Sequence, residues 1–156
     1  MKTSRSVNGM RNRIRKLPVQ TTDPLQREEH LDLEEAGMKY VQSFVMPVQK
    51  KKIDIYRKTA RKFARLWKEH GALEVVETVA EDVKPGKRTS FPRSVKLKRS
   101  ETVVFSWVTF KSRKHRDRVM AKVMQDPRAQ KLMNSEDMPG DGQRMFWGGF
   151  DVMFKV

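Results

Sequence analysis

At 156 residues, with no cysteine and a formal net charge of +15, the chain is long enough for one domain with a real core and too short for two of ordinary size. The missing cysteines exclude disulfides, thiolate metal sites and a cysteine nucleophile, and fit a reducing compartment. No apolar run approaches the roughly 18 residues needed to span a bilayer, and no signal-type apolar stretch follows the basic N-terminus; a soluble, cytoplasmic protein without membrane contact is expected.

Residues 1–37 divide into an Arg-rich piece (Arg5, Arg11, Arg13, Arg15, Lys16) and an acidic one (Glu28, Glu29, Asp32, Glu34, Glu35), neither with apolar periodicity. This extension buries too little to offset chain entropy and reads as disordered or only transiently helical; a basic arm for nucleic acid, an Arg-rich targeting peptide and a segment outside the natural product are the three readings of it. It holds seven basic and six acidic side chains, so nearly the whole positive surplus sits in residues 38–156. The run Glu34-Glu35-Ala36-Gly37 before Met38 is what a purine-rich ribosome-binding sequence would encode if translated, and Met38 is the expected natural start.

Tyr40, Phe44 and Met46 alternate with Val41 and Val45, apolar on both sides, up to Pro47, which should close a first strand. From Lys50 to His70, Ile53, Tyr56, Ala60, Phe63, Ala64 and Trp67 recur at helical spacing, with Lys51, Lys58, Arg61, Arg65 and Lys68 mainly opposite. Gly71 stands where a C-cap glycine would. Leu73 to Val83 alternates but carries Glu74, Glu77, Glu81 and Asp82, the composition of an edge strand.

Lys84 to Ser100, with Pro85, Gly86, Pro92 and seven basic residues, reads as a long basic loop between strands. Glu101 to Lys111 is apolar on both faces, with Val103, Phe105 and Trp107 on one and Val104, Val108 and Phe110 on the other, as in a strand covered on both sides. Ser112 caps a second helix to Asp126, with Val119, Met120, Val123 and Met124 inward, and a helical turn follows over Arg128–Met133. Met138-Pro-Gly-Asp-Gly is a turn, and Arg144 to Val156 a last strand with Phe146, Phe150, Val152 and Phe154 on one face.

Strand, helix, strand, strand, helix, strand predicts an α+β, ferredoxin-like βαββαβ plan, a four-stranded antiparallel sheet with two helices on one face. The other face keeps its aromatics, and the economical cover is a second copy, giving a homodimeric α/β barrel. Gly148-Gly149 would permit a bulge or close backbone approach in the last strand.

Lys39-Tyr-Val with Phe44-Val, Trp67-Lys-Glu-His-Gly-Ala-Leu, Ser90-Phe-Pro-Arg, Glu101-Thr-Val-Val-Phe-Ser-Trp, Ser112-Arg-Lys-His-Arg-Asp and Arg144-Met with Gly148-Gly-Phe resemble the bacterial YbaA-like family of unknown function over residues 38–156. The resemblance implies the dimeric α/β-barrel form of the fold and one domain over 38–156. It has no counterpart for the extension 1–37, and it departs at Gly140, where an apolar residue is expected. Dimeric α/β barrels include cofactor-independent monooxygenases, haem-degrading enzymes and haem-dependent peroxidases, which suggests a small-molecule pocket between helices and sheet. That is analogy by fold.

The candidate catalytic residues are His70 and His115, each a general base or an axial haem ligand, with a capping or packed histidine as the alternative. The candidate ligand-binding residues are Arg93, Trp107, Asp141 and Arg144, the arginines as anion clamps or as partners of Asp141 and Asp151. Trp67 and Trp107 are most simply core or dimer-interface residues. No His pair at helical spacing and no carboxylate cluster is present, so no metal and no cofactor is expected, haem being the alternative. Nonspecific nucleic-acid or polyanion binding through the basic helices and residues 84–99 is the second reading, and a structural or regulatory dimer without catalysis the third. Mass spectrometry of the endogenous N-terminus should find no peptide upstream of Met38; peptides from that region would overturn the expected start.

Overall fold

Two ten-residue strands run side by side over their whole length. β1 (Tyr40–Gln49) and β3 (Glu101–Phe110) are antiparallel from the pair Tyr40 and Phe110 to the pair Gln49 and Glu101. β2 (Glu74–Val79) pairs with the outer side of β3 and β4 (Phe146–Asp151) with the outer side of β1, so the sheet order is β2-β3-β1-β4. The computed structural model describes residues 37–135 and 139–155; residues 1–36, Met138 of the expected turn and Val156 lie outside the described residues. The helices are α1 (Ile53–Glu69), α2 (Arg113–Gln125) and α3 (Pro127–Met133), and the arrangement is the expected ferredoxin-like one.

The helices form where the sequence supplies both an apolar stripe and an end signal. Gly71, at φ 111°, terminates α1 in the left-handed conformation that side chains resist. Ser112 Oγ accepts the His115 N–H at 3.1 Å to start α2, and Asp126 Oδ1 accepts the Arg128 N–H at 2.8 Å to start α3. On the helix side the core gathers Leu66 and Trp67 of α1, Val119 and Val123 of α2, and Tyr40, Val108 and Phe110 of the central strands. Phe110 is wholly buried, with its ring edge-on to Trp67 at 6.0 Å.

Pro47 does not end the first strand. Its carbonyl accepts from the Asp141 N–H at 3.2 Å, so its nitrogen also points to that side, beyond the last β4 pair. The missing N–H therefore costs no bond to β3, and the strand continues to Gln49. The last strand is shorter than expected and stops at Asp151, leaving Met153 and Phe154 exposed beyond it. The backbone at Gly149 lies against the Tyr40 ring, where a Cβ would fall 2.7 Å from Cζ, so this glycine serves a close approach.

The second face of the sheet is partly covered from within the chain. Residues 84–100, expected as a plain loop, include a helical turn, Phe91–Ser94, capped by Ser90 Oγ. Val95 and Leu97 pack with Val45 and Val103, and Val95 is almost wholly buried. The same segment brings Phe91 to 5.8 Å from the Phe105 ring, itself 5.5 Å from Trp107. Truncating Phe110 to alanine should cost about 3–5 kcal/mol in denaturant unfolding, and Phe91→Ala, at a half-exposed ring, distinctly less; equal losses would contradict this placement of the main core.

Candidate functional site

Between α1 and the sheet lies a cavity of about 320 Å³. Its existence follows from side-chain sizes on one helix face, because Ala60 and Ala64, four residues apart, stand where larger groups would meet Val75 and Val108. Phe63 and Trp67 continue the same face as rigid walls. Met46, Met120, Met124, Met133 and Met145 complete the lining, half of the chain's ten methionines. Unbranched thioethers of this kind adapt to irregular apolar shapes. Trp147, 60% exposed, stands at its rim.

The polar groups on this wall are few. Tyr56 Oη donates to Glu77 Oε2 at 2.9 Å. Glu77 lies between Val75 and Val79 on β2, so strand alternation turns it toward the helices. Burial among apolar neighbours raises its pKa, a shift that the Tyr56 hydroxyl partly opposes by stabilising the carboxylate. Glu77 is nevertheless exposed along the outer edge of the sheet, so its carboxyl meets both the apolar wall and solvent. Tyr56 is itself pushed far up, by burial first and by the Glu77 charge second, and stays a hydrogen-bond donor. A carboxyl with a raised pKa in a cleft is a recurring mark of acid–base chemistry. Sequence reading placed Glu77 among the charges of an edge strand. Its position in register with Val75 and Val79 was the available signal.

None of the six residues singled out from sequence lines this cavity. His70 follows α1, with Nε2 2.9 Å from Asp126 Oδ2, and so ties the end of α1 to the start of α3. Asp126 is held well below the usual carboxylate range, first by Arg128 and then by His70. His115 Nδ1 accepts the Lys111 N–H at 3.2 Å, and its ring stands edge-on to Phe110. Burial lowers its pKa, and Lys111, Arg118 and Lys122 lower it further.

Arg93 Nε donates to the Gly86 carbonyl and folds the 84–100 segment on itself. Arg144 and Asp141 do come together: Arg144 Nε reaches Asp141 Oδ2 at 2.7 Å, while its other nitrogens hold Glu101 at 2.6 and 2.9 Å and the Val95 and Lys96 carbonyls. This guanidinium is an anion clamp for the protein's own carboxylates, and it lowers the pKa of Glu101 and of Asp141. Trp107 lies on the second face beside Phe105. Among the described residues no group of three or more His, Cys, Asp or Glu could hold a metal ion.

The family model described as protein of unknown function (DUF1428) matches residues 39–142. Uncharacterized protein YbaA of Escherichia coli K12 is 48% identical over 114 residues, spanning 73% of this chain and 96% of its own length. The YbaA of Shigella flexneri matches to the same extent. Among solved structures, a mutant of SnoaB, a cofactor-independent oxygenase from Streptomyces nogalater, aligns with a TM-score of 0.49 at 9% identity over 77% of this chain and 98% of its own. The de novo designed protein Foldit4 aligns with a TM-score of 0.36 at 13% identity, over 75% and 99%.

The lowered pKa of His115 fixes a sign. The folded state prefers neutral imidazole, so the stability it contributes is complete above the ordinary value of 6.5 and is lost as pH falls through the depressed one. The lowered Asp126 and Asp141 act in the same direction, further into acid. His115→Gln should abolish the decline in melting temperature between about pH 7 and pH 5 and leave the steeper acid loss; an unchanged profile would refute the assignment.

Proposed function

The chain belongs to the DUF1428 family of YbaA-like proteins, and we propose that its members of this form bind a small, largely apolar molecule between helices and sheet and exchange a proton with it through Glu77. The observation that carries this is the Tyr56–Glu77 pair on a mostly apolar wall whose other polar side chains are the hydroxyls of Thr59 and Ser106. Glu77 is exposed at the sheet edge, yet its carboxyl borders the apolar wall closely enough for desolvation to penalise the charged form. With a raised pKa the same group can take a proton as carboxylate or return it as acid, and Tyr56 holds the oxygen that is not engaged.

A second copy of the chain is proposed as the cover for the remaining sheet surface. On that face Phe146 and Phe150 are 45% and 59% exposed, on either side of Gly148, which is in register with Ser43 and, through it, Trp107. The Phe150 ring lies over Gly148, so the two exposed rings form an apolar surface that a second copy could cover across a two-fold axis. Desolvating such rings contributes about 25 cal/mol per Å² of apolar surface.

Native mass spectrometry of protein from its own host should find a retained small molecule that is missing from Ala64→Trp, where the indole occupies the cavity. Returned to the protein in D2O, that molecule should exchange hydrogen at least about 100-fold more slowly on Glu77→Gln; wild-type exchange rates on this variant would remove Glu77 from the chemistry. In sedimentation equilibrium the wild type should be a dimer and Phe150→Asp a monomer, and a monomeric wild type would end the proposal for the second face.

A further inference from the structure

On the other side of the Tyr56–Glu77 pair lies a second cleft, of about 360 Å³. It shares Tyr56, Ala60, Ala64, Val75 and Glu77 with the methionine-lined cavity, so the two spaces meet along that pair. Their chemistry differs at the far end, where the cleft adds Arg57 and Arg61. We propose that the bound molecule is an amphipathic anion, its apolar body among the methionines and its negative group carried past Glu77 to the Arg61 guanidinium; this rests on the reading of the cavity as a ligand site.

Arg57 and Arg61 are one turn apart on α1, yet they differ in commitment. Arg57 is paired with Asp54 at 3.0 Å. Arg61 has no ion pair or hydrogen bond among the described residues. Nor is Arg61 an ion-pair partner of Glu77, whose carboxyl is hydrogen-bonded by Tyr56 and whose pKa is raised by burial against the lowering effect of that bond. The cleft thus holds an uncommitted cation together with a carboxyl whose pKa is raised, an environment that accepts an anion. A bound anion would favour protonated Glu77, which then donates to it. A guanidinium also presents its N–H groups in the fork that matches a carboxylate or phosphate. A long acidic polymer would use the outer stripe of Arg57, Arg61, Arg65 and Lys68 and leave the apolar cavity empty; the joined cavity favours the small amphiphile.

The test compares 2-naphthoate with 2-naphthalenemethanol, the same ring system with and without the charge, by calorimetric titration. Both should bind the wild type, the anion about tenfold more tightly. Arg61→Gln should erase that difference and leave the neutral compound unchanged, whereas Arg57→Gln should preserve it. Ala64→Trp, or Met124→Trp if the first variant unfolds, should abolish binding of both compounds. Equal wild-type affinities, or a preference that survives Arg61→Gln, overturns the anion proposal and leaves the cavity reading standing. Failure of both compounds to bind, or binding indifferent to the filled cavity, overturns the cavity reading and this proposal with it.

Discussion

The structure depends on a pair of central strands that are apolar on both sides. β1 and β3 share ten residue pairs, and side chains from each strand project alternately into two separate cores. A one-residue slip of this register would exchange the two faces wholesale, placing Trp107 and Phe105 under the helices and Phe110 and Val108 on the opposite side. Because the faces are unlike in bulk and in cover, the register is strongly specified. α1 and α2 close one side with Trp67, Leu66, Val119 and Val123, and the 84–100 segment folds partway over the other with Val95 and Leu97.

Arg144 links that second lid to the sheet. A single guanidinium bonds Asp141, Glu101 and two carbonyls of the covering segment, so the turn before β4, the start of β3 and the segment over the second face are fixed together. The carboxylates whose pKa values are shifted downward, Glu101, Asp126 and Asp141, all sit against arginine. Glu77 shifts the other way. In a chain with a surplus of basic side chains, the Glu77 carboxyl is bonded by a phenol and has no ion pair among the described residues, although Arg61 lines the same cleft. A carboxyl bonded to a phenol rather than ion-paired gains less stability than the arginine-held ones, and that difference is the ground for proposing Glu77 rather than either histidine as the proton-transfer group.

Much of the fold is legible in the sequence because periodicity and end signals agree. The α1 stripe ends at Gly71, Ser112 begins α2, and the double-faced run at 101–110 announces a central strand. Two boundaries mislead for physical reasons: Pro47 is tolerated because its nitrogen faces no partner strand, and Val152 to Phe154 lie beyond the last pair with β1. The site is much less legible. His70 and His115 draw notice as rare titratable residues, yet each is occupied by local bonding, with Asp126 and with the Lys111 N–H. Glu77 is ordinary in composition and unusual in placement, and placement depends on which face of an edge strand meets the helices.

The cavity itself is a departure from close packing. Ordinary cores close such space, since every void forfeits dispersion contacts. Here the flanking residues resist collapse: Val75 and Val108 are stiff at χ1, Phe63 packs against Trp67, and Trp67 in turn is braced against Phe110. The methionines are free to adapt, and apart from Met46 on β1 they reach the space from α2, α3 and the residue before β4, so those tips could meet a guest without moving the frame. Rigid walls with two small alanines on one side and a flexible thioether lining on the other make a shape that keeps its opening and yields on its contour. That combination accommodates apolar bodies of varied outline while holding the Glu77 carboxyl at a fixed place on the wall.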